Sequence, residues 1–182
     1  MEEQSRYGGY QVIMEKNEEK GLSLEKEVAD LLARKNYTMT TAESCTGGML
    51  AARMVNVPGV SGVFNAGFIT YANEAKQKLV GVKQETLKTY GAVSRETAGE
   101  MAEGAAKAAG ADVAVSTTGI AGPDGGTPEK PVGLVYIGCY VDGKLAVKEY
   151  HFCGSRTEVR ESTVEAALVL LKGMLADGES GK

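Results

Sequence analysis

Between Tyr37 and Val82 the chain twice runs from a β-branched, aromatic stretch straight into an apolar pattern of helical period. That alternation narrows the folds open to it more than any other feature. "YTMTTAES" reads as a strand and leads into "CTGGMLAARMVNVPG", where Leu50, Met54 and Val57 keep helical spacing until Pro58. "GVFNAGFITY" reads as a second strand, followed by a helix over "ANEAKQKLVGV" with Asn73 as its expected cap. Upstream, "LSLEKEVADLLARKN" sets Leu24, Val28, Leu31 and Leu32 on one face of an amphipathic helix.

Downstream, the alanine-rich "SRETAGEMAEGAAKAAGA" is a helix that Ser94 can cap, and "DVAVSTTGI" is a buried-looking strand. The stretch "AGPDGGTPEKP" has too many breakers for a regular element and is long enough to be functional. "VGLVYIGCYVDGKLAVKEYHFC" is a hairpin through Asp142-Gly143. A last helix over "SRTEVRESTVEAALVLLKGML" is apolar at Val159, Val164, Ala167, Leu168, Leu171 and Leu175. The pattern predicts an α/β fold: a three-layer α/β/α sandwich on a mixed, mostly parallel sheet ending in an antiparallel hairpin. Residues 21–176 are expected to form a single domain, with residues 1–20 a charged tail or appended element and 177–182 a C-terminal tail.

At 182 residues and 43% hydrophobic composition, such a domain buries a core without disulfides or metal. The net charge of −4 and the lack of a long basic run argue against a nucleic-acid or anionic-membrane surface. No apolar stretch reaches membrane-spanning length and the first twenty residues carry charges, so a cytoplasmic protein is expected. Cys45, Cys139 and Cys153 lack metal-ligand spacing and the chain has one histidine, so neither a metal nor another cofactor is expected.

Ser44 falls at a strand-to-helix turn in "TTAESCTGGML", and three readings of that turn stay open on the residues alone: Ser44 as nucleophile, Cys45 as nucleophile, or a plain helix start. A Ser-His-Asp triad would rest on His151 alone, near the end of the last strand, and is disfavoured. A lysine can replace histidine when burial leaves its amine neutral, and Lys76, just beyond the second strand, is the best-placed candidate. Its plain alternative is a solvated helix face shared with Lys78 and Lys83. Tyr71, at the same junction, has a phenol that could relay a proton, or is an interface aromatic. A Glu43-Lys76-Cys45 set is a competing amidase arrangement, although strand alternation lets at most one of Ser44 and Cys45 face a site.

Backbone N–H groups of Cys45, Thr46, Gly47 and Gly48 at the helix start suit an oxyanion or phosphate. The glycine-rich loop containing Gly119, Ile120, Ala121 and Gly122 could wrap a ribose or phosphate, or be a surface crossover. Arg156 and Arg160 sit where a helix favours acids, which hints at an anion partner; pairing with Glu158 or Glu161 is the alternative.

The chain resembles the CinA C-terminal domain family in "TAESCTGGMLAARMVNVPGVS", "GFITYANEAKQKLVGV", "GAVSRETAGEMAEGA", "TTGIAGPDGGTPEKPVGLVYI" and "FCGSRTEVRESTVEAAL". Five blocks in order cover about residues 24–175. The resemblance implies hydrolysis of the carboxamide of nicotinamide mononucleotide, with Ser44 as nucleophile and Tyr71 and Lys76 as its activators. It implies a small-molecule nucleotide as partner and a homo-oligomer; for the phosphate of such a substrate, Arg156 and the 119–126 loop, through Gly119, Ile120, Ala121 and Gly122, are the candidate contacts. Context resembles the stand-alone amidase form rather than the larger proteins with an additional N-terminal domain. A non-catalytic nucleotide- or partner-binding module of the same fold is the competing expectation.

Overall fold

The computed structural model describes residues 22–176; both tails expected from the sequence lie outside the described residues. In chain order the elements are α1 (Leu24–Lys35), β1 (Met39–Glu43), α2 (Met49–Val55), a 3-10 turn at Val60–Gly62, β2 (Phe64–Ile69), α3 (Asn73–Val80), α4 (Gln84–Thr89), α5 (Arg95–Ala109), β3 (Val113–Gly119), β4 (Leu134–Val141), β5 (Lys144–His151) and α6 (Arg156–Ala176). The strands form one sheet in the order β2-β1-β3-β4-β5. β1 pairs parallel with β2 and β3, whereas β3–β4 and β4–β5 are antiparallel. The mixed sheet with a terminal hairpin is as expected, its four pairings dividing evenly between the two kinds.

Side-chain alternation sorts the core into two layers. Met39, Val113, Val115, Ile137 and Cys139 face α1, α2 and α6, while Ala42 and Ala114 face the layer of Val80, Val82, Met101, Ala105 and Ala106. All six apolar positions assigned to the last helix are buried in α6. Asp142 and Gly143 both take positive φ, as a tight hairpin turn requires.

Two local features differ from the sequence reading. Asn73 is the first helical residue rather than the cap; Ala72 holds the cap position in extended backbone, with no side-chain cap bond. Ser94 does cap α5, accepting from the Thr97 N–H at 3.1 Å. The short helix α4 has no sequence signal of its own, because a carboxylate on another helix holds it. Glu100 of α5 accepts from the Lys83 N–H at 2.8 Å and the Thr86 hydroxyl at 2.7 Å.

The low bulk of α5 lets α3 pack closely on it. A Cβ built on Gly104 would lie 1.7 Å from the Val80 carbonyl oxygen at the end of α3. Alanine in place of a helical glycine ordinarily gains about 1 kcal/mol of propensity. Here overpacking against a backbone atom wins, since it typically costs 1–3 kcal/mol and occasionally more. Gly104→Ala is therefore expected to lower unfolding free energy by roughly 2 kcal/mol, read from the urea midpoint at unchanged slope.

Candidate active site

Three parallel strands end at one edge of the sheet, and the geometry of that edge builds the site. Glu43 at the end of β1 sits in register with Ile69 of β2 and Thr117 of β3. Ser44 therefore emerges between the segments following β2 and β3, its N–H donating to the Thr117 carbonyl at 2.9 Å. Alternation along β1 continues into the turn. Glu43 points toward α2, and Ser44, of the same parity as Ala42, faces the α3 side.

Lys76, on the first turns of α3, reaches back under this edge. Its side chain is buried at 1% exposure, and its Nζ lies 3.0 Å from Ser44 Oγ, 2.8 Å from the Thr70 carbonyl oxygen and 3.2 Å from the Tyr71 carbonyl oxygen. Burial lowers the Lys76 pKa from the ordinary lysine value, with Cys45 opposing the shift. A neutral amine has two hydrogens and one lone pair. The two carbonyls accept the hydrogens, which leaves the lone pair for the Ser44 hydroxyl proton. When the amine takes that proton, the same three contacts fit an ammonium beside a serine oxyanion.

Ser44, Cys45, Tyr71, Asn73, Lys76, Ala92, Val93, Thr118, Gly119, Ala121 and Arg156 surround a cavity of about 200 Å³. Seven sequence-derived candidates thus converge: Ser44, Cys45, Tyr71, Lys76, Gly119, Ala121 and Arg156. Thr46, Gly47, Gly48, Ile120 and Gly122 do not line it. The Gly48 N–H donates to Glu43 at 2.9 Å, the Ile120 N–H to Leu134, and the Gly122 carbonyl accepts from Arg156 at 2.8 Å. Larger grooves of about 540 and 640 Å³ lie elsewhere, and their linings hold no serine or cysteine beside a buried base.

Tyr71 is 62% exposed, and its phenol oxygen accepts from Arg156 Nη2 at 3.1 Å. Its main-chain oxygen, rather than the phenol, touches Lys76. Arg160, the other cation at the start of α6, holds the turn instead of an anion, donating to the carbonyls of Cys45 at 3.1 Å and Thr46 at 2.8 Å. Among the described residues neither arginine forms an ion pair with Glu158 or Glu161, and Glu158 accepts from the Ser155 N–H. His151 is exposed on β5 beside Glu149, outside the cavity.

Cys45 is 5% exposed, and burial pushes its thiol up to about 11. A thiol so protonated is a poor nucleophile. The contributions missed in the sequence are Glu43 as an internal cap, the Thr70 carbonyl, Thr118, and Ala92 with Val93. Thr118 reaches Ala92 across 26 residues, whereas Glu43 and the Thr70 carbonyl act within eight residues through turn geometry that residue type does not announce.

The geometry defines a class first, a three-layer α/β domain with a buried serine–lysine pair at the carboxyl edge of its parallel strands. The CinA C-terminal domain profile matches residues 21–175, and the chain belongs to that family. A CinA-like protein of Kosmotoga olearia is 57% identical over 153 residues, covering 84% of this chain and 37% of that protein. A Clostridium novyi relative is 57% identical over 151 residues, 83% of this chain and 36% of the relative. The chain thus spans just over a third of the length of these curated relatives.

Among solved structures, the competence/damage inducible protein CihA from Agrobacterium tumefaciens superposes with a TM-score of 0.79 at 44% identity, covering 81% of this chain and 91% of that one. A CinA superfamily protein from Klebsiella pneumoniae gives 0.82 at 35% identity, covering 85% and 96%. No helix among the described residues is long and apolar enough to cross a membrane.

Burial separates the three thiols sharply, with Cys45 and Cys139 buried and Cys153 exposed. Burial also pushes the Cys139 thiol up, to about 12. Titration of the native protein with a chromogenic disulfide at neutral pH is expected to consume Cys153 alone, with the other two reacting after denaturation. Prompt reaction of Cys45 in the native state would restore it as a competing nucleophile.

Proposed function

We propose that the domain hydrolyses a carboxamide through an acyl-Ser44 intermediate, and that the substrate is nicotinamide mononucleotide. The observation that carries the reading is the 3.0 Å contact between Lys76 Nζ and Ser44 Oγ in a buried setting that lowers the lysine pKa. Lys76 takes the hydroxyl proton as Ser44 Oγ attacks the carboxamide carbon. The tetrahedral oxyanion lies against the N–H of Cys45, which borders the cavity and meets no acceptor of another residue among the described residues, with Thr46, Gly47 and Gly48 shaping the turn behind it. The ammonium of Lys76 then passes its proton to the leaving nitrogen, and ammonia departs.

Water, deprotonated by the same amine, attacks the ester. Nicotinate mononucleotide leaves and Ser44 recovers its proton. A cavity of about 200 Å³ suits the pyridine ring and its amide, leaving the ribose phosphate toward the exposed rim at Tyr71 and Arg156. Tyr71 offers a π face to the pyridinium, and Arg156 a cation to the phosphate. Because the Tyr71 phenol lies against Arg156, its part in activating Ser44 is to hold Lys76 through its carbonyl. Gly119 and Ala121 border the same cavity, and Ile120 and Gly122 support them from behind. The same reading makes the protein a cytoplasmic homo-oligomer that requires no added metal or other cofactor.

The test is ammonia and nicotinate mononucleotide release by purified protein. Ser44→Ala and Lys76→Arg are each expected to lower kcat by about 10³ or more at retained fold, the second because a guanidinium stays protonated. Binding of the nucleotide without turnover by the parent chain would favour the non-catalytic module. The pH dependence follows from the direction of the Lys76 shift. The ammonium cannot accept a proton, so kcat/KM rises with pH through the lowered lysine pKa, with its midpoint below the ordinary value of 10.5. A rise centred at the ordinary lysine value would remove Lys76 as the base.

A further inference from the structure

One buried charge stands outside the chemistry described so far. Glu43 is 1% exposed, and among the described residues it has no cationic partner within ion-pair distance. Its Oε2 accepts from the Thr46 hydroxyl at 2.7 Å, the Gly48 N–H at 2.9 Å and the Leu50 N–H at 3.0 Å, and its Oε1 accepts from the Ala51 N–H at 2.8 Å. Four donors and a helix N-terminus compensate a carboxylate that would otherwise be expensive to bury.

An ordinary helix start has no need of this. A serine or asparagine at the cap position is enough, yet here that position is Gly48, at φ +98° with no side-chain bond. The carboxylate comes instead from the last residue of β1, on the far side of the turn that contains Ser44. Strand end and helix start are thereby stapled to each other across residues 44–48.

The staple continues to the backbone of Ser44. Because the Thr46 hydroxyl gives its proton to Glu43, it accepts from the Thr117 hydroxyl at 2.7 Å. Thr117 in turn accepts the Ser44 N–H on its carbonyl. Glu43 also occupies the N–H groups that a bound anion would use at the start of α2, leaving those of residues 45–47 free.

We propose that Glu43 is a positioning residue for the Ser44 nucleophile: its buried carboxylate fixes the turn so that Ser44 Oγ stays on the Lys76 amine, and it withholds the α2 N-terminus from external anions. This rests on the reading of Ser44 as a nucleophile and is independent of which amide is cleaved. Glu43→Gln keeps the shape but turns an NH2 toward at least one donor.

The experiment measures the rate and final extent of Ser44 modification by a fluorophosphonate, resolved by peptide mass spectrometry as a function of pH. Glu43→Gln is expected to slow modification about ten- to a hundredfold, with unchanged final extent and unchanged pH midpoint. Parent-like rates overturn the proposal. So does a lower final extent at unchanged rate, the mark of a folding defect, or a shifted midpoint, the mark of a direct charge effect on Lys76.

If Glu43→Gln does not unfold cooperatively, Thr46→Val decides, since it removes only the hydroxyl link; it too must slow modification. Parent protein modified at Ser44 without ammonia release refutes the substrate proposed above and leaves the Glu43 comparison valid. A parent Ser44 that is never modified overturns both.

Discussion

A primary amine taken out of water with only neutral acceptors around it is the constraint on which the site depends. Lys76 meets two carbonyls and one hydroxyl and, among the described residues, has no carboxylate within ion-pair distance, so its charge is disfavoured rather than compensated. Holding it there requires α3 to lie close under the sheet edge. That placement traces to Gly104 on α5, where any side chain would strike the Val80 carbonyl at the end of α3. A small residue on a neighbouring helix thus sets how deeply the Lys76 amine is buried.

The carboxyl edge separates charges by face. Glu43 is turned into the helix layer of α2, and Lys76 approaches from the opposite layer, so the two buried ionisable groups do not neutralise each other. A direct Glu43–Lys76 pair would hold the amine protonated and remove its capacity as a base. The alternation of a single strand keeps them apart while leaving Ser44 between them. Cys45 borders the same cavity as Ser44, and burial keeps its thiol protonated, so environment distinguishes the adjacent hydroxyl and thiol.

Much of this was legible in the sequence because it is local. The strand-to-helix junctions at Ser44 and Tyr71, the Ser94 cap, the Asp142-Gly143 turn and the buried face of α6 each follow from a few neighbouring residues. What sequence reasoning missed is short-range backbone geometry that residue type does not fix, or a partner far along the chain. Asn73 looked like a cap, but the extended backbone falls one residue earlier, at Ala72. Arg160 looked like an anion ligand because α6 favours acids at its start; its partners are carbonyls 115 and 114 residues upstream. The glycines after Cys45 suggested room for a ligand, whereas the Gly48 N–H is used internally by Glu43.

The two bonds from Arg160 carry a consequence for the order in which the domain is made. Ser44 and Lys76 both precede α6 in chain order, and the carbonyls of Cys45 and Thr46 gain the Arg160 contacts only once α6 has docked on the turn that Glu43 already staples. A chain cut short before α6 therefore keeps Ser44, Lys76 and the Glu43 staple but lacks the two bonds by which Arg160 holds the carbonyls of the turn.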